Sequence, residues 1–263
     1  MNTFWKMKTD NLGVAESIIL GAIQGLTEFL PISSSGHLAL SKHILGTNIQ
    51  NPLGFDIALH IGTTFSVIFV LWSDIVSRIK SRENLLGVLV AFACTVPIAL
   101  LLKNFAELVE VETIYLSVSF LAGGLILILF PKFKFEFGFW KYVFIGVMQG
   151  VSAIPGISRS GTTISSSMFS GMNPQDAFGF SFFLSIPTIL SAIAYESFEI
   201  FVKGETFGES VGLVEIVSGI VSSFVFGCVS LLILRKIVIA KKLWVFGVYM
   251  LFVSVFTFLY SVY

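Results

Sequence analysis

The chain has 263 residues, 55% hydrophobic and 12% charged, with 16 Lys plus Arg against 16 Asp plus Glu and a mean hydropathy of +0.91. Soluble domains carry about a quarter charged residues, so this composition excludes an ordinary soluble domain and describes a polytopic membrane protein. A net charge of zero and a pI near 6.8 give no basic face for a nucleic-acid backbone, and partners are to be sought in the bilayer or at its surface.

The chain opens with Lys6 and Lys8 ahead of an apolar stretch, as signal peptides do. Gln24 and Glu28 interrupt that stretch and no small-residue cleavage site follows, so it reads as retained sequence. Residues 14–45 are apolar but broken midway by Pro31, Ser33, Ser34, Ser35 and Gly36. Full spans follow at 55–73, 85–102 and 113–130, near the length of about 20 helical residues that a core of about 30 Å requires. A second interrupted stretch covers 142–172, and three further spans lie at 177–195, 211–234 and 243–262. Each interrupted stretch reads as two half-helices around a break. Non-helical backbone at membrane depth survives only against protein or a wet cavity, so function is expected at the breaks. Cys94 and Cys228 lie in apolar runs without a metal-ligand neighbour and read as small buried side chains.

The two interrupted stretches are related. Gly21, Gln24, Gly25, Ser33 and Gly36 recur at a constant offset of 125 as Gly146, Gln149, Gly150, Ser158 and Gly161, with the proline displaced by one place from Pro31 to Pro155. At the same offset Phe55, Leu59, Ile61 and Thr63 meet Phe180, Leu184, Ile186 and Thr188. The expectation is one integral membrane domain, 1–263, all α-helical, with six full transmembrane helices and two re-entrant helical hairpins. Its repeat halves cover roughly 14–131 and 140–262. Basic residues cluster in three loops: Arg78, Lys80 and Arg82; Lys132, Lys134 and Lys141; Arg235, Lys236, Lys241 and Lys242. If these face the cytoplasm, every full span alternates, the first hairpin opens outside and the second inside. Three spans separate the hairpins, so the halves are inverted relative to one another and both termini lie outside.

At the first break, Pro31, Gly36 and the serines end one half-helix and cap the next. A helix N-terminus inside a membrane presents backbone N–H groups and a positive dipole end to anions. The second break, Pro155-Gly156-Ile157-Ser158-Arg159-Ser160-Gly161-Thr162-Thr163, adds a guanidinium whose planar fork suits phosphate oxygens. Brought together, the two breaks make one anion pocket. Helix packing is the competing account for small residues, and it is preferred for Ser165, Ser166 and Ser167. For Glu28 and Arg159 the competitor is a mutual salt bridge, since an intramembrane charge costs at least about 2.5 kcal/mol on insertion scales. Asp56 and His60, four residues apart on one helix face, can serve a cavity or a structural hydrogen bond. Asp74 and Lys103 read as interfacial groups, and Trp72, Trp140 and Trp244 as an aromatic belt.

The set points to phosphoryl transfer, with Arg159 and the helix N-termini neutralising the phosphoryl group, a hydroxyl or water attacking, and His37 or Glu28 moving protons or holding a metal. A magnesium or calcium ion is expected to be shared with substrate phosphates, Glu28 being its best intramembrane carboxylate.

The segments from Gln24 to His37 and from Pro155 to Thr163 resemble the two signature motifs of the bacterial undecaprenyl-diphosphate phosphatase family associated with bacitracin resistance, and the resemblance extends over essentially the whole chain. It implies hydrolysis of undecaprenyl diphosphate to the monophosphate carrier lipid for peptidoglycan synthesis, with bacitracin competing for the substrate. It implies a bacterial cytoplasmic membrane location, with the active site on the outer face. Matched by motif, the family's glutamate falls on Glu28, its serines on Ser33 and Ser34, its histidine on His37, and its serine and arginine on Ser158 and Arg159. With the other polar residues of the two breaks, the expected catalytic residues are Glu28, Ser34, His37 and Arg159, and the expected substrate-binding ones Gln24, Ser33, Ser35, Ser158, Ser160, Gly161 and Thr162. The family often has glutamate at position 24, so the amide of Gln24 shifts weight to Glu28. The hypothesis is attack by Ser34 assisted by His37, with direct attack by water as the rival. A transporter or flippase of a polyprenyl phosphate is the alternative from another class, and a homodimer is left open.

Overall fold

The computed structural model describes residues 13–45, 53–203 and 211–262. Within that set the side chain of Asp56 is outside the described residues, so its pairing with His60 is not placed. The described chain is helical throughout: α1 (Val14–Phe29), α2 (Ser34–Leu45), α3 (Leu53–Val70), α4 (Trp72–Lys80), α5 (Arg82–Val111), α6 (Thr113–Leu129), α7 (Lys141–Val151), α8 (Arg159–Phe169), α9 (Pro174–Lys203), α10 (Leu213–Ile239) and α11 (Trp244–Val262). Short 3-10 turns at Phe130–Lys132 and Gly138–Trp140 join α6 to α7.

Five of these helices, α5, α6, α9, α10 and α11, are long and apolar enough to cross a bilayer, and α3 with α4 makes a sixth if the bent pair is one span. The protein is therefore a multi-pass, all-helical membrane protein. Its outer faces are apolar, with Phe69 71%, Leu101 78% and Phe252 71% exposed, as contact with hydrocarbon demands. Trp72, Trp140 and Trp244 are exposed among them, in keeping with a belt at the interfaces.

The first full span differs from the sequence expectation. Instead of running straight through 55–73, the chain bends by 75° after Val70 and continues as α4. That short helix is held by ion pairs, Asp74 to Arg235 of α10 at 3.6 Å and Arg78 to Asp176 of α9 at 3.3 Å. Helices α5, α9 and α10 run past the predicted span ends, to Val111, Lys203 and Ile239. Hydropathy measures only the apolar part of a helix, and no proline or glycine halts these three where they become polar.

Small residues bring the helices together. On α1, a Cβ at Gly21 would lie 2.5 Å from the Gly219 carbonyl oxygen of α10, and one at Gly25 would lie 2.6 Å from the Ser223 oxygen. On α7, a Cβ at Gly146 would lie 2.2 Å from the Ala91 oxygen of α5, and one at Gly150 would lie 2.5 Å from Ile98. Hydroxyls reinforce both contacts, Ser230 donating to the Gly25 carbonyl at 2.8 Å and Thr95 to the Gly146 carbonyl at 3.1 Å. Helix α6 packs along α11 through Gly124 and Gly247, each against the other's carbonyl oxygen. Without water to drive association, such close backbone approach and interhelical hydrogen bonds are what join membrane helices.

Candidate functional site

The break between α1 and α2 spans residues 30–33, and that between α7 and α8 spans 152–158. Both end in a serine that caps the following helix. Ser33 Oγ accepts from the Gly36 N–H at 3.3 Å, and Ser158 Oγ accepts from the Gly161 N–H at 3.2 Å. These residues three places past the cap are the positions that a capping hydroxyl reaches. Ser33 adopts φ 64, a left-handed conformation uncommon for a side chain larger than glycine, and its hydroxyl also accepts from the Gly156 N–H of the other break at 3.0 Å. Gly156 has φ +92, and a Cβ there would lie 2.7 Å from Ser119 Cβ. The two breaks are thus in direct contact, as the anion-pocket expectation requires. Gly36 packs on the backbone of Gly156, and Gly161 packs on Pro31.

At this junction Arg159, the first residue of α8, forms an ion pair with Glu28 in the last turn of α1, their side chains 18% and 10% exposed. The mutual salt bridge therefore exists, and it sits at the meeting of the two breaks rather than elsewhere in the bundle. Arg159 gives one Nη2 contact to Glu28, and its other donors have no partner among the described residues. A guanidinium carries five N–H donors, so four are uncommitted among the described residues. On the other carboxylate oxygen, Gln24 Nε2 donates to Glu28 at 3.3 Å, and the same amide lies 3.3 Å from His60 Nδ1. Because a carboxylate can only accept, the amide nitrogen faces Glu28, and His60 Nδ1 then acts as acceptor. The chain His60, Gln24, Glu28, Arg159 runs from α3 through α1 to α8.

The remaining expected residues divide by what their polar atoms already do. Ser34 opens α2, half-buried, and its hydroxyl makes no hydrogen bond among the described residues. Ser35 is exposed, 3.5 Å from Ser33 by their hydroxyls. Ser160 is buried and pairs with Ser158 at 3.2 Å. The Gly161 N–H is committed to Ser158, and Thr162 is fully buried with its hydroxyl unpartnered among the described residues. Ser165, Ser166 and Ser167 are likewise buried and unpartnered along α8, where their small size admits the neighbouring helices. His37 donates from Nδ1 to the Ser33 carbonyl at 2.9 Å, and its Nε2 lies 2.8 Å from the Tyr249 hydroxyl.

Two of these neighbours were not read from the sequence. Helical spacing pairs His60 with Asp56, and its approach to Gln24 depends on how α3 leans on α1. Tyr249 is one aromatic residue inside an apolar span, and no spacing rule could bring it to His37, 212 positions earlier.

A divalent cation has little built for it here. No group of three metal-ligating side chains occurs among the described residues, and Glu28, the carboxylate at this junction, is already engaged by Arg159 and Gln24. The donor set does not fit a resident, all-protein metal site.

Fold and site together define a multi-pass helical membrane protein with two broken helices meeting at a charged, hydroxyl-rich junction suited to a phosphate-bearing ligand. The family described as bacitracin resistance protein BacA matches residues 17–256, and the chain belongs to it. An undecaprenyl-diphosphatase of Treponema denticola is 36% identical over 261 residues, covering 91% of this chain and 94% of that protein. One of Carboxydothermus hydrogenoformans is 42% identical over 186 residues, covering 67% and 70%. One of Methanosphaera stadtmanae is 31% identical, covering 95% and 99%.

Proposed function

We propose that the chain is an undecaprenyl-diphosphate phosphatase, cleaving the terminal phosphoanhydride bond with water to give undecaprenyl phosphate and inorganic phosphate, and so recycling the carrier lipid for peptidoglycan synthesis. The observation that carries this reading is Arg159: a guanidinium on a helix N-terminus at the junction of two breaks, anchored by Glu28 through one contact and retaining its other donors. Such a group, preorganised where water is scarce, stabilises charge developing on a transferring phosphoryl group. The long prenyl tail stays in lipid while the diphosphate enters between the helices.

In this reading Ser34 Oγ attacks the terminal phosphorus and undecaprenyl phosphate leaves; water then hydrolyses the phosphoserine. The hydroxyl proton passes by way of His37, and the released phosphate carries it away on turnover. Arg159 and the N-termini of α2 and α8 hold the phosphoryl oxygens. Ser33 and Ser158 keep those N-termini in place by capping them. Glu28 is the carboxylate that would engage a magnesium or calcium ion shared with the substrate phosphates, where the ion would offset phosphate charge, and no step above depends on it.

We further propose that the halves are inverted repeats, α1–α2 and α7–α8 being re-entrant hairpins. The matched glycine contacts, α1 on α10 and α7 on α5, support this arrangement. With the basic loops in the cytoplasm of a bacterial inner membrane, the α1–α2 hairpin and the reaction face outward. The same matched packing is the observation that favours a second reading, translocation of the lipid phosphate between leaflets. Purified protein incubated with undecaprenyl diphosphate separates the two: phosphate release supports the phosphatase, while lipid translocation in vesicles without release supports the flippase.

A further inference from the structure

His37 is held at both ring nitrogens. Nδ1 lies 2.9 Å from the Ser33 carbonyl oxygen, which can only accept, so Nδ1 carries the proton. In the neutral ring Nε2 is then an acceptor, and the Tyr249 hydroxyl, 2.8 Å away, donates to it. The two rings are stacked, with centroids 5.6 Å apart and planes 4° from parallel, and the Phe120 ring closes on the imidazole edge-on at 5.3 Å. Among the described residues, the left-handed turn at Ser33, α6 through Phe120 and α11 through Tyr249 all contact this side chain.

We infer that Tyr249 is a positioning residue for the reaction, holding the His37 imidazole in one tautomer and one orientation while the ring gains and loses a proton. This rests on the phosphatase reading, in which His37 handles the proton of the attacking hydroxyl. A phenol suits the task because its hydroxyl both donates and accepts. It donates to Nε2 of the neutral ring. When a proton arrives on Nε2, the ring becomes cationic with two N–H groups; the Ser33 carbonyl accepts one and the Tyr249 oxygen, turning from donor to acceptor, accepts the other. The ring is bonded at both nitrogens before the transfer and again after it, the Tyr249 hydroxyl yielding Nε2 only while the serine proton passes to it. A backbone carbonyl or an amide nitrogen at the position of Tyr249 would serve only one of the two states.

The test uses the purified full-length protein with undecaprenyl diphosphate, measuring phosphate release for wild type, Tyr249→Phe, Tyr249→Leu, His37→Ala and the Tyr249→Phe/His37→Ala pair. Tyr249→Phe keeps the stacked ring and removes the hydroxyl. Its kcat should fall about tenfold, the scale of a modest misplacement of a reacting group, with KM within about twofold of wild type and the thermal midpoint unchanged. Tyr249→Leu, losing ring and hydroxyl together, should fall further. In the His37→Ala background the Tyr249→Phe change should add nothing, because it acts only through the imidazole. Wild-type or raised kcat in Tyr249→Phe, with His37→Ala slow, overturns the inference and leaves the phosphatase reading standing. An equal loss in the His37→Ala background also overturns it, since that would mark a structural role. Normal turnover in His37→Ala removes the His37 role and the inference with it.

Discussion

Glu28 and Arg159, 131 positions apart in the chain, form an ion pair that bridges the end of α1 and the start of α8. Two charges at the meeting of two broken helices would be costly to bury as a purely structural link, because the desolvation penalty of a buried pair often exceeds its attraction. The arrangement makes sense if the pair is a resting state, with the guanidinium preorganised for an anion and kept in place by one carboxylate contact.

Arg159 should accordingly matter for turnover more than for folding. Arg159→Ala is expected to lower kcat by about a hundredfold or more, in line with the loss of a preorganised donor. Arg159→Lys keeps the charge but loses the planar fork, and it should recover only part of that loss. Phosphate release from the purified variants, with thermal melting as the control for folding, checks both. An Arg159→Ala enzyme of normal rate would leave the junction without its proposed role.

Ser34 is the half-buried hydroxyl at this junction that has no hydrogen bond among the described residues, whereas Ser33 and Ser158 are occupied as caps. Rapid quench of the wild-type enzyme followed by peptide mass spectrometry should find phosphate on Ser34, and Ser34→Ala should lose most of its turnover. Near-normal turnover by Ser34→Ala would instead favour direct attack by water, with Arg159 keeping its part.

How far the sequence could carry this account depends on the range of each interaction. Helix existence and the positions of the two breaks were legible because proline, glycine and serine act locally, and Ser33 and Ser158 cap the helices as their place in the motifs suggests. The convergence of Glu28 and Arg159 could be anticipated only because both are charges inside apolar stretches. The bend after Val70 is not legible, since residues 67–72 are apolar with no proline or glycine among them and the ion pairs of α4 come from Asp176 and Arg235, far along the chain. His60 and Tyr249 join the site through helix packing, which leaves no periodic trace in one sequence.

The close contacts of α1 and α7 predict which glycines the fold needs. Gly25→Val should clash with the Ser223 oxygen and Gly227 nitrogen of α10, and Gly150→Val with Ile98 of α5. Overpacking typically costs about 1–3 kcal/mol, so each variant should melt lower in detergent and lose activity through misplacement of the adjoining break. Gly138, with no atom within 4 Å of a built Cβ, is the control for bulk; its φ of 55 restricts the comparison to Gly138→Asn, a residue that tolerates this conformation. Unaltered melting of Gly25→Val would contradict the packing described.

The proposed orientation rests on the basic loops. In a variant lacking Cys94 and Cys228, Lys80→Cys should resist a membrane-impermeant maleimide added to intact cells and react once the membrane is permeabilised. Labelling of that position in intact cells would reverse the topology and put the α1–α2 hairpin on the cytoplasmic side.

In the proposed reaction the junction of Glu28 and Arg159 cleaves a lipid diphosphate. Its most direct test is phosphate release by the purified protein from undecaprenyl diphosphate, with Arg159→Ala run in parallel under the same conditions. The account predicts one phosphate released per lipid by the wild type and a loss of about a hundredfold or more in the variant. Lipid left intact by a folded wild-type protein, or equal release by both proteins, would contradict it.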